Sequence, residues 1–178
     1  NSIVLSSGNG TISVNSGATL NVSNETNKDD LIVLRAQRNG TTPGIAVDGG
    51  NSSTLDSNAF IGADRIELRA VDHVDLSQIL SSNIETLRVK TAEFFQAAAN
   101  YINDLGIASD NRFALVPEIE ISSASDLSLL ADWNFTDSGW HTNSGHGILT
   151  LRAAGDLNIG AQNSPGSLND GFANNQSF

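Results

Sequence analysis

The chain has 178 residues, enough for one domain with a continuous core, and 39% of them are apolar but only 16% charged. Its surface must therefore be built from Asn, Ser, Thr, Gly and Asp rather than from Lys and Glu, unlike that of a helical cytosolic protein. Nine Lys plus Arg against 20 Asp plus Glu leave a net charge of −11, which argues against nucleic acid or anionic lipid as a partner, and the absence of Cys excludes disulfides and thiolate metal sites.

Short alternating apolar runs separated by Gly, Asn, Ser and Asp clusters follow one another from the N-terminus, the pattern of many short strands joined by tight turns. NSIVLSSGNG has no basic region followed by a hydrophobic one. ISVNS and ATLNV come next, then LIVLRA at 31 to 36, RIELRAVDHVDL at 65 to 76 and ETLRVK at 85 to 90. EIEISSASDLSLL at 118 to 130 and ILTLRAAGDLNIGA at 148 to 161 follow, and the chain closes on the polar tail NDGFANNQSF. Seven or more strands make this an all-β chain. It opens and closes in mid-pattern, so residues 1–178 are expected to be a single β-solenoid segment of a much longer chain. Asn9-Gly10 and Asn39-Gly40 are suited to a hairpin or a corner.

Three of the runs superimpose. Ile66, Ile119 and Leu149 align, as do Leu68, Ile121 and Leu151, then Ala70, Ser123 and Ala153. After a short corner come Val74, Leu127 and Leu157, then Leu76, Leu129 and Ile159. Each copy reads as two short strands with one buried and one solvated face, a unit that buries its apolar side only by stacking on its neighbours. The copies start 53 and 30 residues apart (119 − 66 and 149 − 119), an irregularity that a β-helix tolerates at its corners. ETLRVK is expected to supply a further rung. In LIVLRA, Ile32, Leu34 and Ala36 are expected inward and Arg35 outward. Leu68, Ile121, Leu127, Leu151 and Leu157 are expected in one stacked core.

TAEFFQAAANYINDLG, residues 91 to 106, breaks the pattern. Phe94, Ala98, Tyr101 and Leu105 fall on one helical stripe, with Thr91 a suitable N-cap and Gly106 a suitable C-terminal cap. A short α-helical insertion is expected there, covering apolar surface.

Residues 118 to 172 carry EIEISSASDLSLLADWNF, GILTLRAAGDLNI and GSLNDGF in that order. This string resembles the repeat region of filamentous haemagglutinin-like exoproteins of two-partner secretion systems, and RIELRAVDHVDL echoes it. The resemblance implies a right-handed parallel β-helix and export through an outer-membrane partner transporter. It also implies a place outside the cell or on its surface and an adhesive or filamentous role without catalysis. Nothing in the chain matches that family's N-terminal secretion domain.

Candidate chemistry is sparse, and no cofactor is expected. His141 and His146, near Asp137, lack the spacing and general base of a zincin, so no metal is expected. His73 falls where the other copies carry Asp126 and Asp156, which suits a corner. Asp29-Asp30, Asp72, Asp75, Asp126 and Asp132 supply carboxylates for a glycosidase-like pair, but Asp126 and Asp156 recur with the fold, as turn caps do. Lys occurs only at 28 and 90, where a lyase wants a cation beside its acids. Arg35, Arg69 and Arg152 share one outward position, and stacked arginines require interleaved acids such as Glu67 and Glu118. Trp133 and Trp140 are the candidate ligand contacts, since exposed tryptophan stacks on sugar rings. The expected function is a bacterial surface adhesin or extracellular fibre segment that binds surface glycans or proteins and self-associates through strand edges. The alternative is a carbohydrate-binding or polysaccharide-degrading β-helix protein.

Overall fold

The computed structural model describes all residues except 16, 23–29, 48–54, 138, 143–144, 161–164 and 170–178. The fold is mostly strand, 44%, with parallel sheets and one helix. By internal contacts the chain divides into two compact units, Asn1–Asp72 with Phe94–Glu118 and His73–Glu93 with Ile119–Phe178.

In the first unit the chain passes twice through the same three strands. The first pass lays down β1 (Ser2–Ser7), β2 (Ile12–Val14) and β3 (Leu20–Asn21). The second lays down β4 (Leu31–Gln37), β5 (Ile45–Val47) and β6 (Phe60–Ile61), each parallel to its counterpart. β7 (Arg65–Asp75) begins a third pass on β4. Alternation puts like residues in columns, Ile3, Ile32 and Ile66 in one and Leu5, Leu34 and Leu68 in the next. Ile32, Leu34, Ala36, Ile66, Leu68 and Ala70 are fully buried, as expected for LIVLRA and RIELRA.

The helix α1 spans Ser81–Asp104, ten residues longer at its N-terminal end than the expected 91–106, and ETLRVK lies inside it rather than in a strand. Leu80 O accepts the first i to i−4 bond from Ile84 N, and Asn83 Oδ1 caps Leu80 N at 2.9 Å. Thr91 is therefore no N-cap. It lies in the buried stripe Leu87, Thr91, Phe94, Ala98, Tyr101 and Leu105, and its hydroxyl has no hydrogen-bond partner among the described residues. The C-terminal expectation holds: Gly106 has φ 69°, and the Ile107 N–H reaches back to Ile102 O at 3.3 Å in a Schellman pattern. Tyr101 Oη donates to Ile45 O at 2.5 Å and ties this end of the helix to β5.

β9 (Phe113–Ser123) follows β7 in the sheet order, with β14 (Ile148–Ala153) beyond it. Ile66 N bonds Arg112 O and Leu76 N bonds Ser122 O, the same offset of 46 (112 − 66 and 122 − 76), so β7 and β9 run parallel. Ile66 accordingly lies beside Phe113, not Ile119, a six-residue correction to the repeat alignment. An even shift leaves the same side chains inward. β7 also runs straight through residues read as a corner, so His73 is in a strand, whereas β9 ends at Ser123, where the repeat placed its corner.

The second unit is built on β8 (Gln78–Ile79), β10 (Leu127–Leu129) and β15 (Leu157–Asn158), all parallel. It also holds the parallel pair β11 (Trp133–Asn134) and β16 (Leu168–Asn169), and the antiparallel pair β12 (His141–Thr142) and β13 (Gly145–His146). Leu127 pairs with Leu157, 30 residues on, as the repeat required. Leu129, however, pairs with Ile79 rather than Leu76. Ile79, Ile119, Ile121, Leu127, Leu129 and Trp133 form a cluster against which Leu151 packs. Leu68 belongs to the first unit's cluster and Leu157 is 47% exposed, so the five leucines and isoleucines do not share one core. Leu157 is on the last strand of its sheet, with no further described strand to cover it.

Candidate functional site

The two tryptophans do not form a sugar-stacking surface. Trp133 is wholly buried and Trp140 is 4% exposed, in a three-ring cluster with Phe135 in which Trp133 and Phe135 stack at 5.1 Å. Two aromatic rings flanking a two-residue strand are more stably placed inside than out, because each removes a large apolar area from water. The Trp133 Nε1–H finds no partner among the described residues.

A shallow cleft of about 430 Å³ opens beside Trp140, lined by Ser81, Ile84, Glu85, Arg88, Asp132 and Asp137. Glu85 receives two hydrogen bonds from Arg88, at 2.7 and 2.6 Å, which hold its carboxyl below the ordinary range. Asp132 Oδ1 accepts from the hydroxyl and the backbone N–H of Ser167, at 2.7 and 3.0 Å, and its pKa is lowered likewise. Lowered carboxyls remain ionised at neutral pH, whereas a general acid needs a raised pKa. Helical spacing alone placed Glu85 and Arg88 in this cleft, so a strand reading of ETLRVK missed them.

On the outward side of β7 and β9 the second unit gathers His73, Asp75, Glu120 and Ser122. His73 Nε2 is 3.2 Å from Asp75 Oδ1 and 3.3 Å from Ser122 Oγ, and its Nδ1 is 3.6 Å from Glu120 Oε1. Arg152 Nε lies 3.6 Å from the same Glu120 oxygen. Ser122 donates to Asp75, which with His73 lowers the Asp75 pKa, so the serine proton is held by a carboxylate rather than by the imidazole. This grouping depends on the β7 to β9 register, which the repeat alignment had six residues out.

The remaining acids are tied into the fold. Asp72 pairs with Arg38 at 3.1 Å, and Asp126 Oδ1 accepts from Asp156 N at 2.8 Å, a corner cap. Asp30 N donates to Asp64 Oδ2 at 3.1 Å. Asp29 and Lys28 lie outside the described residues. His141 and His146 are backbone partners across β12 and β13, but their side chains are outside the described set. Among the described residues no three His, Asp or Glu side chains converge as metal ligands, and no helix is long and apolar enough to cross a membrane.

Comparison with known proteins finds no matching protein family, no matching curated protein and no matching solved structure.

Proposed function

We propose that the chain is a segment of a secreted bacterial β-solenoid of the filamentous haemagglutinin type. In this reading it is a right-handed parallel β-helix that serves as a surface adhesin or extracellular fibre, without catalysis. The observation that carries the reading is the in-register parallel pairing of successive passes, three strands over three, in which like apolar residues fall in columns. Stacked passes build a rod with extended lateral surfaces for binding, and a polar, Lys-poor surface suits exposure outside the cell. Export would run through an outer-membrane two-partner secretion transporter recognising the full-length chain. Strand edges would mediate self-association.

The alternative of a carbohydrate-binding or polysaccharide-degrading protein needs exposed tryptophan or free paired acids. The burial of Trp133 and Trp140 and the bonds at Asp72, Asp126 and Asp132 weigh against it.

The test is display of the chain on a non-adherent bacterium, with binding to cultured cells and immobilised glycans measured beside turnover of acidic polysaccharides. Saturable binding without turnover is expected. Turnover, or absence of binding by a correctly folded displayed chain, would contradict the proposal.

A further inference from the structure

The segments that follow β1 and close β4 form the walls of one polar recess of about 450 Å³ in the first unit, within the size range of small-ligand sites. Asn9, Gly10 and Thr11 line it on one side, and Gln37, Asn39 and Thr42 on the other. Both walls are preformed. Asn39 and Thr42 exchange backbone hydrogen bonds of 2.9 and 3.1 Å, Gly10 N donates to Ser7 Oγ at 3.1 Å, and Ile12 N ties one wall to the other through Gly44 O at 2.8 Å. Gly44 lies so close to the Gln37 carbonyl that a Cβ there would collide with it, so only glycine keeps the second wall in place.

The side chains of Asn9, Thr11, Gln37, Asn39 and Thr42 make no hydrogen bond among the described residues. Each carries both donor and acceptor capacity. The charge in the recess is already committed: the Arg38 side chain is 2% exposed, pairs with Asp72 at 3.1 Å and lies 5.0 Å over the Phe94 ring. Among the described lining residues none is acidic, so the complementary ligand is uncharged and held by hydrogen bonds. None is aromatic either, so a sugar ring has no platform to stack on. A carboxamide has the planar donor and acceptor of a peptide group, and Asn9, Gln37 and Asn39 supply three of them. An extended main chain, whose N–H and C=O groups need partners when they leave water, matches that set.

We propose that this recess docks a short, uncharged, extended stretch of a partner polypeptide through main-chain hydrogen bonds. The inference deepens the adhesin reading and rests on it, since it makes the bound surface a protein surface. The partner's side chains contribute less than its backbone, because the recess offers amides and hydroxyls rather than an apolar pocket.

The experiment is fluorescence-anisotropy titration of the folded chain against an array of short, uncharged, acetylated and amidated peptides. Backbone N-methylated copies of each peptide and the neutral polysaccharides mannan and galactan are run beside them. Saturable binding of unmethylated peptides is expected, lost on N-methylation and weakened about tenfold by Gln37→Ala with Asn39→Ala, a variant that removes two side chains with no internal bond. Far-UV circular dichroism verifies that the variant is folded, and N-methylation tests the same bonds without altering the chain. Absence of peptide binding, binding indifferent to both N-methylation and the substitutions, or polysaccharide binding abolished by the substitutions would overturn the proposal. Cell binding by the displayed chain that is undiminished in the double variant would overturn the recess alone and leave the adhesin reading standing.

Discussion

Arg35 and Arg69 are direct partners in the parallel register of β4 and β7, yet each guanidinium is held by a different carboxylate. Glu118 takes Arg35 through two hydrogen bonds of 2.9 and 2.7 Å, and Glu67 takes Arg69 at 2.7 Å. Like charges one strand apart destabilise a ladder, so the acids are what allow this column to form. The Glu118 side chain is 3% exposed. Glu118→Gln should therefore cost about 3 kcal/mol, since it removes the buried carboxylate that offsets Arg35 beside Arg69. Arg35→Met with Glu118→Leu should recover most of the loss. Thermal unfolding of the single and double variants checks both.

The columns make a second prediction about contrast. Leu34 is fully buried in the first unit's cluster, whereas Leu157 is nearly half exposed. Leu34→Ala should cost about 3 kcal/mol and Leu157→Ala under about 1 kcal/mol. Urea midpoints measure the difference. Equal losses would mean that Leu157 is covered.

Thr91 gives a test in which the sign decides. As an N-cap, its replacement by valine would remove a capping bond and destabilise by about 1 kcal/mol. As a buried interior residue with an unpaired hydroxyl, Thr91→Val keeps the shape and removes the desolvation cost, so stability should rise by about 1 kcal/mol. Differential scanning calorimetry reads the direction directly.

Acid should loosen the Phe113 turn. Arg112 donates to both Asp110 oxygens through Nε and Nη2, holding that carboxyl below its ordinary pKa, while Nη1 donates to Phe60 O at 3.0 Å and Nη2 also to Ser57 O at 3.1 Å. A folded pKa below the unfolded one contributes stability that is full above about pH 4 and lost as pH falls through the lowered value. Asp110→Asn should be less stable than the parent at pH 7, with the gap closing towards pH 3. Urea unfolding at the two pH values measures it, and a gap that widens in acid would contradict the assignment.

The parts of this fold legible in the sequence are those where alternation decides burial. LIVLRA and RIELRA alternate, which puts Ile32, Leu34, Ile66 and Leu68 on one buried face, but Val33 at 1% and Glu67 at 7% exposed show that the face expected in solvent is covered as well. ETLRVK was opaque because six residues with apolar side chains at 87 and 89 satisfy a strand period as well as a helical one. Only the longer stripe from Leu87 through Thr91 to Phe94 separates them, and a polar Thr91 interrupts it. Register between β7 and β9 was likewise hidden, since any even shift keeps the same faces inward. For the cleft, Trp140 was legible as a landmark but its burial was not, because burial depends on Phe135 and Trp133 closing around it.

The parallel, in-register stacking of passes is the claim on which the proposed function stands, and a chain without cysteine allows it to be tested by engineered disulfides. Ser2 and Leu31 are partners, so in a parallel ladder their Cα atoms are about 5 Å apart, within disulfide reach. Ser2 and Ala36 would be close only if β1 ran antiparallel to β4; here they are separated by about 17 Å along the strand. Ser2→Cys with Leu31→Cys should oxidise to an intramolecular disulfide in the folded protein, while Ser2→Cys with Ala36→Cys stays reduced. Closure of the second pair and not the first would contradict the account.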